Sequence, residues 1–279
     1  MSQILQRFAP AKVNLGLSVT GVLDNGYHTL HSLMVPLSVG DDLTFEVADV
    51  LTLQVTGADL PTDERNLVYR AAQAYLRAAD IKTGVRITLH KKLPLASGVG
   101  GGSSDAATTL MALKELYPSS MDLHPLATSL GADVPFFLIQ QAALAEGIGE
   151  KLTPVELPEL HLVLVNPGTE VSARDAYLWL DQSGEFTAEL PLSNILHALK
   201  HRLNVPYFNA LEPAVVTRHP EIAAVLQTLR ETGLTSPMMS GSGSTCFALA
   251  RTAKEAGQAV QILKSHFPMH WCTAAHTLA

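Results

Sequence analysis

The residues with the most chemical potential stand in one run, Pro94-Leu95-Ala96-Ser97-Gly98-Val99-Gly100-Gly101-Gly102-Ser103-Ser104-Asp105. Its glycines let the backbone curl round a bound group with no Cβ in the way. Ser103 or Ser104 can cap a helix, or bind a phosphate oxygen or its metal. Ahead of the run, Val85, Ile87 and Leu89 alternate with Arg86, Thr88 and His90, the pattern of a half-buried strand. Behind it, Ala106, Ala107, Leu110, Leu113 and Tyr117 recur at helical spacing. Strand, glycine loop, helix is an order that sets free backbone N–H groups at the positive end of a helix dipole, where phosphates bind. No Gly-Lys-Ser/Thr follows, so this is not a Walker A motif. Serine stands where a dinucleotide fingerprint needs its third glycine. A turn without a ligand needs a single positive φ, and this run of small residues is longer than that.

Other residues have chemistry but leave a choice open. Lys12 and Asn14 share the polar face of a strand whose other face is Val13, Leu15, Leu17 and Val19. By type alone, a lysine there is a solvated charge. The turn Asp24-Asn25-Gly26 delivers Tyr27, His28 and His31 into the next segment, and an isolated histidine is more often structural than a ligand. Asn66 opens the helical face Leu67, Ala71, Ala72, Tyr75 and Leu76, as a cap or a surface amide. Asp133 stands before Val134-Pro135, an N-cap position. Flanked by Leu130 and Phe136-Phe137-Leu138, however, its carboxylate is partly desolvated and needs partners.

The elements that must position these residues fit a chain of 279 residues, which buries roughly three quarters of its unfolded surface in one large or two modest domains. Leu43, Phe45 and Val47, then Leu51, Leu53 and Val55, read as a hairpin-like pair of strands. A domain boundary falls near residue 155, before the apolar strand Leu162–Val165. Asp181–Pro191 reads as a surface loop. Helices follow at about 193–203, 219–231 and 252–266, with strands at 245–250 and near 269–275, the alternation of a small α+β domain. Net charge is −7 and the pI about 5.8, a field that repels nucleic acid and anionic membrane. An anionic nucleotide must then be held by local donors. Cys246 and Cys272 have no metal-ligand spacing and read as buried free thiols. With no basic segment leading into an apolar core, and no apolar run of transmembrane length, the expected location is cytoplasmic.

Pro-x-x-x-Gly-x-Gly-Gly-Gly-Ser-Ser-Asp-Ala-Ala resembles the phosphate loop of the GHMP kinases. Three further stretches agree in the family's order: Ala9-Pro10-Ala11-Lys12-Val13-Asn14-Leu15 with Gly26-Tyr27-His28, then Leu130-Gly131-Ala132-Asp133-Val134-Pro135-Phe136-Phe137, then Ser240-Gly241-Ser242-Gly243-Ser244-Thr245. The resemblance implies a two-domain α+β fold. A nucleotide-binding α/β domain would span residues 1–155, and a smaller ferredoxin-like α+β domain residues 156–279.

It further implies ATP, with Mg²⁺, as phosphoryl donor, bound by Pro94 to Ser104 and by Asn66 at the adenine. Lys12 and Asp133 become the catalytic pair, the lysine at the transferring phosphoryl and the aspartate at the acceptor hydroxyl. A lysine beside the aspartate would keep it ionised. The triple glycine and Gly26-Tyr27-His28 resemble the members whose small-molecule acceptor is a cytidine diphosphate-linked methylerythritol, phosphorylated on its 2-hydroxyl. Asn14, Tyr27, His28, Asp175 and Tyr177 would contact that acceptor, with His28 reading the base edge and Tyr27 stacking. Either Tyr177 or Trp179 would supply the second aromatic, and the Ser240–Thr245 turn would order the sugar or its diphosphate unless it is only a strand-linking turn. No metal ligand is assigned beyond Ser103 or Ser104, and no protein partner is implied. A valine at Gly101 should obstruct ATP without disturbing the fold, because the loop is not core.

Overall fold

A computed structural model describes residues 4–278. The chain forms two compact units. One gathers the chain up to Ala11, Val39–Leu93 and Gly100–Gln140; the other gathers Lys12–Ser38, Pro94–Val99 and the chain from Gln141 on. Two long paired strands, β1 (Ile4–Val22) and β2 (His28–Ala48), contribute residues to both.

In the first unit the end of β2 pairs antiparallel with β4 (Gly84–His90), Phe45 facing Ile87. The far edge of β4 pairs parallel with β3 (Thr52–Thr56), Leu53 facing Ile87. The expected hairpin of β2 and β3 therefore does not form, because β4 lies between them. A parallel neighbour requires a crossover connection, and α1 (Leu67–Ala78) supplies it. Helix α1 starts where Asn66 accepts from Val68 N, and buries Val68, Ala71, Ala72, Tyr75 and Leu76. Beside it runs α2 (Gly101–Leu116), buried almost throughout from Ser104 onward, polar positions included. Tyr75 donates to the Tyr117 carbonyl (2.7 Å) and Tyr117 to the Gly84 carbonyl (2.6 Å), fixing the end of α2. The short helices α3 (His124–Leu130) and α4 (Val134–Ile139) complete the unit.

In the second unit the start of β2 pairs antiparallel with β5 (Ala143–Gly147), and β5 with β6 (Lys151–Pro154). Next come β7 (His161–Asn166), the helices α5 (Ala173–Ser183), α6 (Leu192–His201), α7 (Glu212–Arg218) and α8 (Pro220–Glu231), then β8 (Thr235–Met239), β9 (Cys246–Ala250), α9 (Ala253–His266) and β10 (Trp271–His276). Strands β7 to β10 form an antiparallel sheet in the order β10-β7-β9-β8. That order is the split βαβ arrangement of ferredoxin-like domains, as expected. Val163 and Val165 of β7 join Leu226 and Leu229 of α8 and Val260 and Leu263 of α9 in one core. The expected loop at Asp181–Pro191 is partly helical, since α5 reaches Ser183. Part of the rest is tied down: Thr187 N donates to Val19 O (2.9 Å), and Leu190 is buried.

Candidate active site

Strand β1 was expected to keep one polar face, yet both faces are covered. Lys12, Asn14 and Ser18 are as buried as Val13, Leu15 and Leu17. A buried lysine must be paired. Lys12 Nζ donates to Asn14 Oδ1 (2.8 Å), while Asn14 Nδ2 donates to Ser32 Oγ (2.8 Å) and Ser32 Oγ to the Gly16 carbonyl (2.9 Å). The two-residue strand spacing places lysine and asparagine on one face, and β2 supplies the serine that orients the amide.

The loop Pro94–Val99 is fastened to this assembly by its backbone. Lys12 N donates to Val99 O (2.9 Å) and Thr245 N to Ser97 O (3.1 Å). Ser240 Oγ bonds Gly98 O (3.1 Å) and Asn14 N (3.3 Å). Within the loop, Ser97 Oγ caps Pro94 O (2.7 Å); Ser97 and Val99 are buried while Leu95 and Ala96 are exposed. Gly98 has φ +78, and a Cβ there would lie 2.2 Å from Ser240 O. Only glycine fits that approach. Gly241 is similar: with φ +56, its Cβ would come within 3.2 Å of Asn14 Oδ1 and 3.5 Å of Lys12 Nζ.

Ser240–Thr245 thus does structural work as a buried turn between β8 and β9. Asn209 Nδ2 holds it through Met239 O (2.8 Å) and Gly241 O (2.7 Å), and Asn166 Nδ2 through Ser244 Oγ (3.1 Å) and Thr245 Oγ1 (3.0 Å). Asn209 and Asn166 are each followed within two residues by a main-chain turn they cap, a signal that sequence reading passed over.

In the other unit, Gly100 caps α2 in the left-handed region (φ 72), and Gly101, Gly102 and Ser103 form its first turn. Ser103 is half-buried. Ser104 is fully buried, with a hydroxyl that has no hydrogen-bond partner. Beneath this turn lies a buried charge cluster absent from the sequence reading. Lys91 Nζ donates to Asp105 Oδ2 (2.8 Å) and to Asp41 Oδ2, and Asp41 Oδ1 accepts from Lys92 N (2.6 Å) and Leu93 N (2.9 Å). Burial pushes the Asp105 carboxyl up to about 7, with Lys91 pulling it back and Asp41 pushing it further. Burial also works against the Lys91 ammonium, but the carboxylates more than offset it and hold it above its ordinary value. A Cβ on Gly101 would sit 3.3 Å from Lys91 Nζ and from Leu93 Cδ1. Gly101 therefore covers buried structure, contrary to the expectation that valine there would leave the fold untouched.

Asn66 uses both ends of its amide in the α1 cap, Nδ2 donating to Pro61 O (2.9 Å). Asp133 is half-buried at the N-cap of α4, yet its carboxylate makes no capping hydrogen bond, so capping is not what it does. Among the described residues there is no group of three or more His, Cys, Asp or Glu able to hold a metal, and no helix is long and apolar enough to cross a membrane.

Back in the second unit, the residues expected at the acceptor separate into two sets. His28 stacks on Tyr177 (centroids 4.6 Å, 27° between planes), and its Nε2 meets Asp181 Oδ1 at 2.7 Å. Tyr27 is exposed beside it. Trp179 instead packs on His219 (5.6 Å) under the Arg218 guanidinium (4.9 Å), and Asp175 is exposed in the first turn of α5. Of the two aromatics left open by the sequence, Tyr177 is the one beside His28.

The motifs and folds just described match known proteins. The GHMP kinases N terminal domain matches residues 66–141, and the GHMP kinases C terminal domain residues 192–268. The chain is 59% identical, over 98% of its length and 93% of the relative, to 4-diphosphocytidyl-2-C-methyl-D-erythritol kinase of Deinococcus radiodurans. The chain belongs to the GHMP kinase family. Identity to the enzyme of the same name from Thermus thermophilus is 44%, over 94% of this chain and 93% of that one. A crystal structure of 4-(cytidine 5'-diphospho)-2C-methyl-D-erythritol kinase superposes with a TM-score of 0.89 at 42% identity, covering 99% of this chain and all of the other. In this GHMP kinase, then, the glycine loop runs from a backbone-clamped half, Pro94–Val99, into the first turn of a helix seated on buried charge.

Proposed function

We infer that the chain is an ATP-dependent kinase that phosphorylates the 2-hydroxyl of 4-diphosphocytidyl-2-C-methyl-D-erythritol in non-mevalonate isoprenoid precursor biosynthesis. The observation that carries this reading is 59% identity to an enzyme of that name along nearly the whole chain. The buried Lys12–Asn14 pair supports it, because a lysine kept out of water and held by an amide suits chemistry better than solubility.

Phosphoryl transfer needs positioning and charge neutralisation above all. The ATP phosphates are assigned to the N–H groups of Gly98–Ser104, with Pro94–Ser97 forming the loop wall and Asn66 marking the adenine side at the start of α1. Lys12 stabilises the charge that spreads over the transferring phosphoryl oxygens. Asp133 takes the proton of the 2-hydroxyl, whose oxygen bonds the γ-phosphorus as the bond to ADP breaks. The unpartnered, fully buried Ser104 hydroxyl fits a phosphate oxygen or a Mg²⁺ ligand. Mg²⁺ would add charge neutralisation at the phosphates, keeping few protein ligands, as it commonly does beside ATP. Asn14, Tyr27, His28, Asp175 and Tyr177 are assigned to the acceptor.

ATP binding is assigned to residues 1–155 and the remaining domain to residues 156–279; the family matches at 66–141 and 192–268 lie within those bounds. Buried free thiols at Cys246 and Cys272 suit a reducing cytoplasm. A coupled ADP-release assay over the cytidyl acceptor, mevalonate and homoserine tests the reading. Turnover confined to the cytidyl compound is expected, and comparable turnover of mevalonate or homoserine overturns it.

A further inference from the structure

His28 and Asp181 lie 153 positions apart, yet their side chains meet at 2.7 Å. Asp181 sits one helical turn beyond Tyr177 on α5, so a single face of that helix presents both a ring and a carboxylate. Tyr177 stacks on the imidazole plane and Asp181 bonds its edge, fixing the ring's plane and its rotation together. The His28 side chain is 11% exposed and that of Asp181 38%, so the ring is held inward by a carboxylate at the surface. A carboxylate only accepts, so the hydrogen at this contact belongs to Nε2. In the neutral ring that leaves the lone pair on Nδ1.

We propose that Asp181 is a positioning residue that holds His28 as the Nε2–H tautomer, so that Nδ1 is an acceptor selecting the exocyclic amino group of cytosine. The proposal rests on the cytidyl reading above and deepens it. Cytosine carries an amino donor at the position where uracil carries a carbonyl acceptor. An acceptor on the protein satisfies the first and opposes the second, leaving two lone pairs facing each other without a hydrogen. Sites built on one such hydrogen bond reject the mismatched partner far more strongly than sites that discriminate by size. Asp181 acts through His28 and need not touch the base. The other nitrogen of a recognition histidine commonly sets its tautomer in this way.

The test compares kcat/KM for the cytidyl acceptor and its uridyl analogue in wild type, Asp181→Ala and Asp181→Asn, with ¹⁵N NMR of His28 in the wild type. In the wild type we expect preference for cytidine of up to ~10⁴ and a hydrogen on Nε2. Asp181→Ala should lower that preference at least ~10-fold through KM of the cytidyl acceptor, with KM for ATP unchanged. Asp181→Asn, which keeps an oxygen acceptor, should restore part of the preference. An unchanged preference in Asp181→Ala, or a His28 ring with its hydrogen on Nδ1, overturns this assignment alone. Failure of the wild type to phosphorylate the cytidyl acceptor overturns the substrate reading beneath it.

Discussion

Asn14 Oδ1 accepts a hydrogen bond of 2.8 Å from the buried Lys12 ammonium, and Ser32 in turn holds the other end of that amide. Asn14 is thus one of the groups that hold the lysine in place. Asn14→Ala should keep Lys12 in the chain but loosen it. A hydrogen bond to a charged group contributes about 1.5–3 kcal/mol, so kcat should fall by ~10- to 100-fold with the fold retained. Steady-state kinetics beside circular dichroism decides this; a kcat within twofold of wild type would release Lys12 from its proposed role.

Asp133 stands at the start of α4 without a capping hydrogen bond, and its proposed role is that of general base. Asp133→Asn should lower kcat by ~10² to 10⁴, the usual contribution of a general base, and leave ATP affinity within a few-fold. Retention of more than about a tenth of wild-type kcat would end its assignment as base.

The two glycines at the start of α2 separate binding from folding. A Cβ on the exposed Gly102 meets nothing nearer than Leu67 Cδ1 at 3.7 Å, whereas one on Gly101 presses on Lys91 and Leu93. Gly102→Val should lose most ATP affinity by calorimetry while its melting temperature stays within about 4 °C of wild type. Gly101→Val should lose affinity and also about 1–3 kcal/mol of stability from overpacking. Unchanged ATP binding in the Gly102 variant would take this turn out of the nucleotide site.

The raised carboxyl of Asp105 gives its contribution to stability a definite direction with pH. Its carboxyl titrates near 7 when folded, against 3.8 ordinarily. Between those values the native state holds a proton that the unfolded chain has released, so stability falls as pH rises through the window and the loss is complete above it. Asp105→Asn keeps a neutral amide throughout. Its stability relative to wild type should therefore improve from pH 5 to pH 8, as read from denaturant midpoints. Parallel pH profiles for the two proteins would show that another group titrates.

How far the sequence reaches depends on how far apart the interacting residues lie. The glycine run, the helix behind it and the Lys12–Asn14 spacing were legible because each is written in neighbouring residues, where backbone geometry alone fixes what shares a turn or a face. The alternation of strand and helix patterns was enough for a small α+β domain, while the ferredoxin-like order of β7 to β10 was implied by the family resemblance. The partners of β2 and β3 were not legible, since adjacent strands in sequence need not be adjacent in a sheet, and β4 returns through α1 to take the place between them. The same holds for Lys91 with Asp41, Ser240 with Gly98, and His28 with Asp181. None of these residues announces its partner by type or spacing. Only tertiary packing brings them together, because burial strips water from a charge or a carbonyl and the fold must then supply a partner from wherever the chain passes.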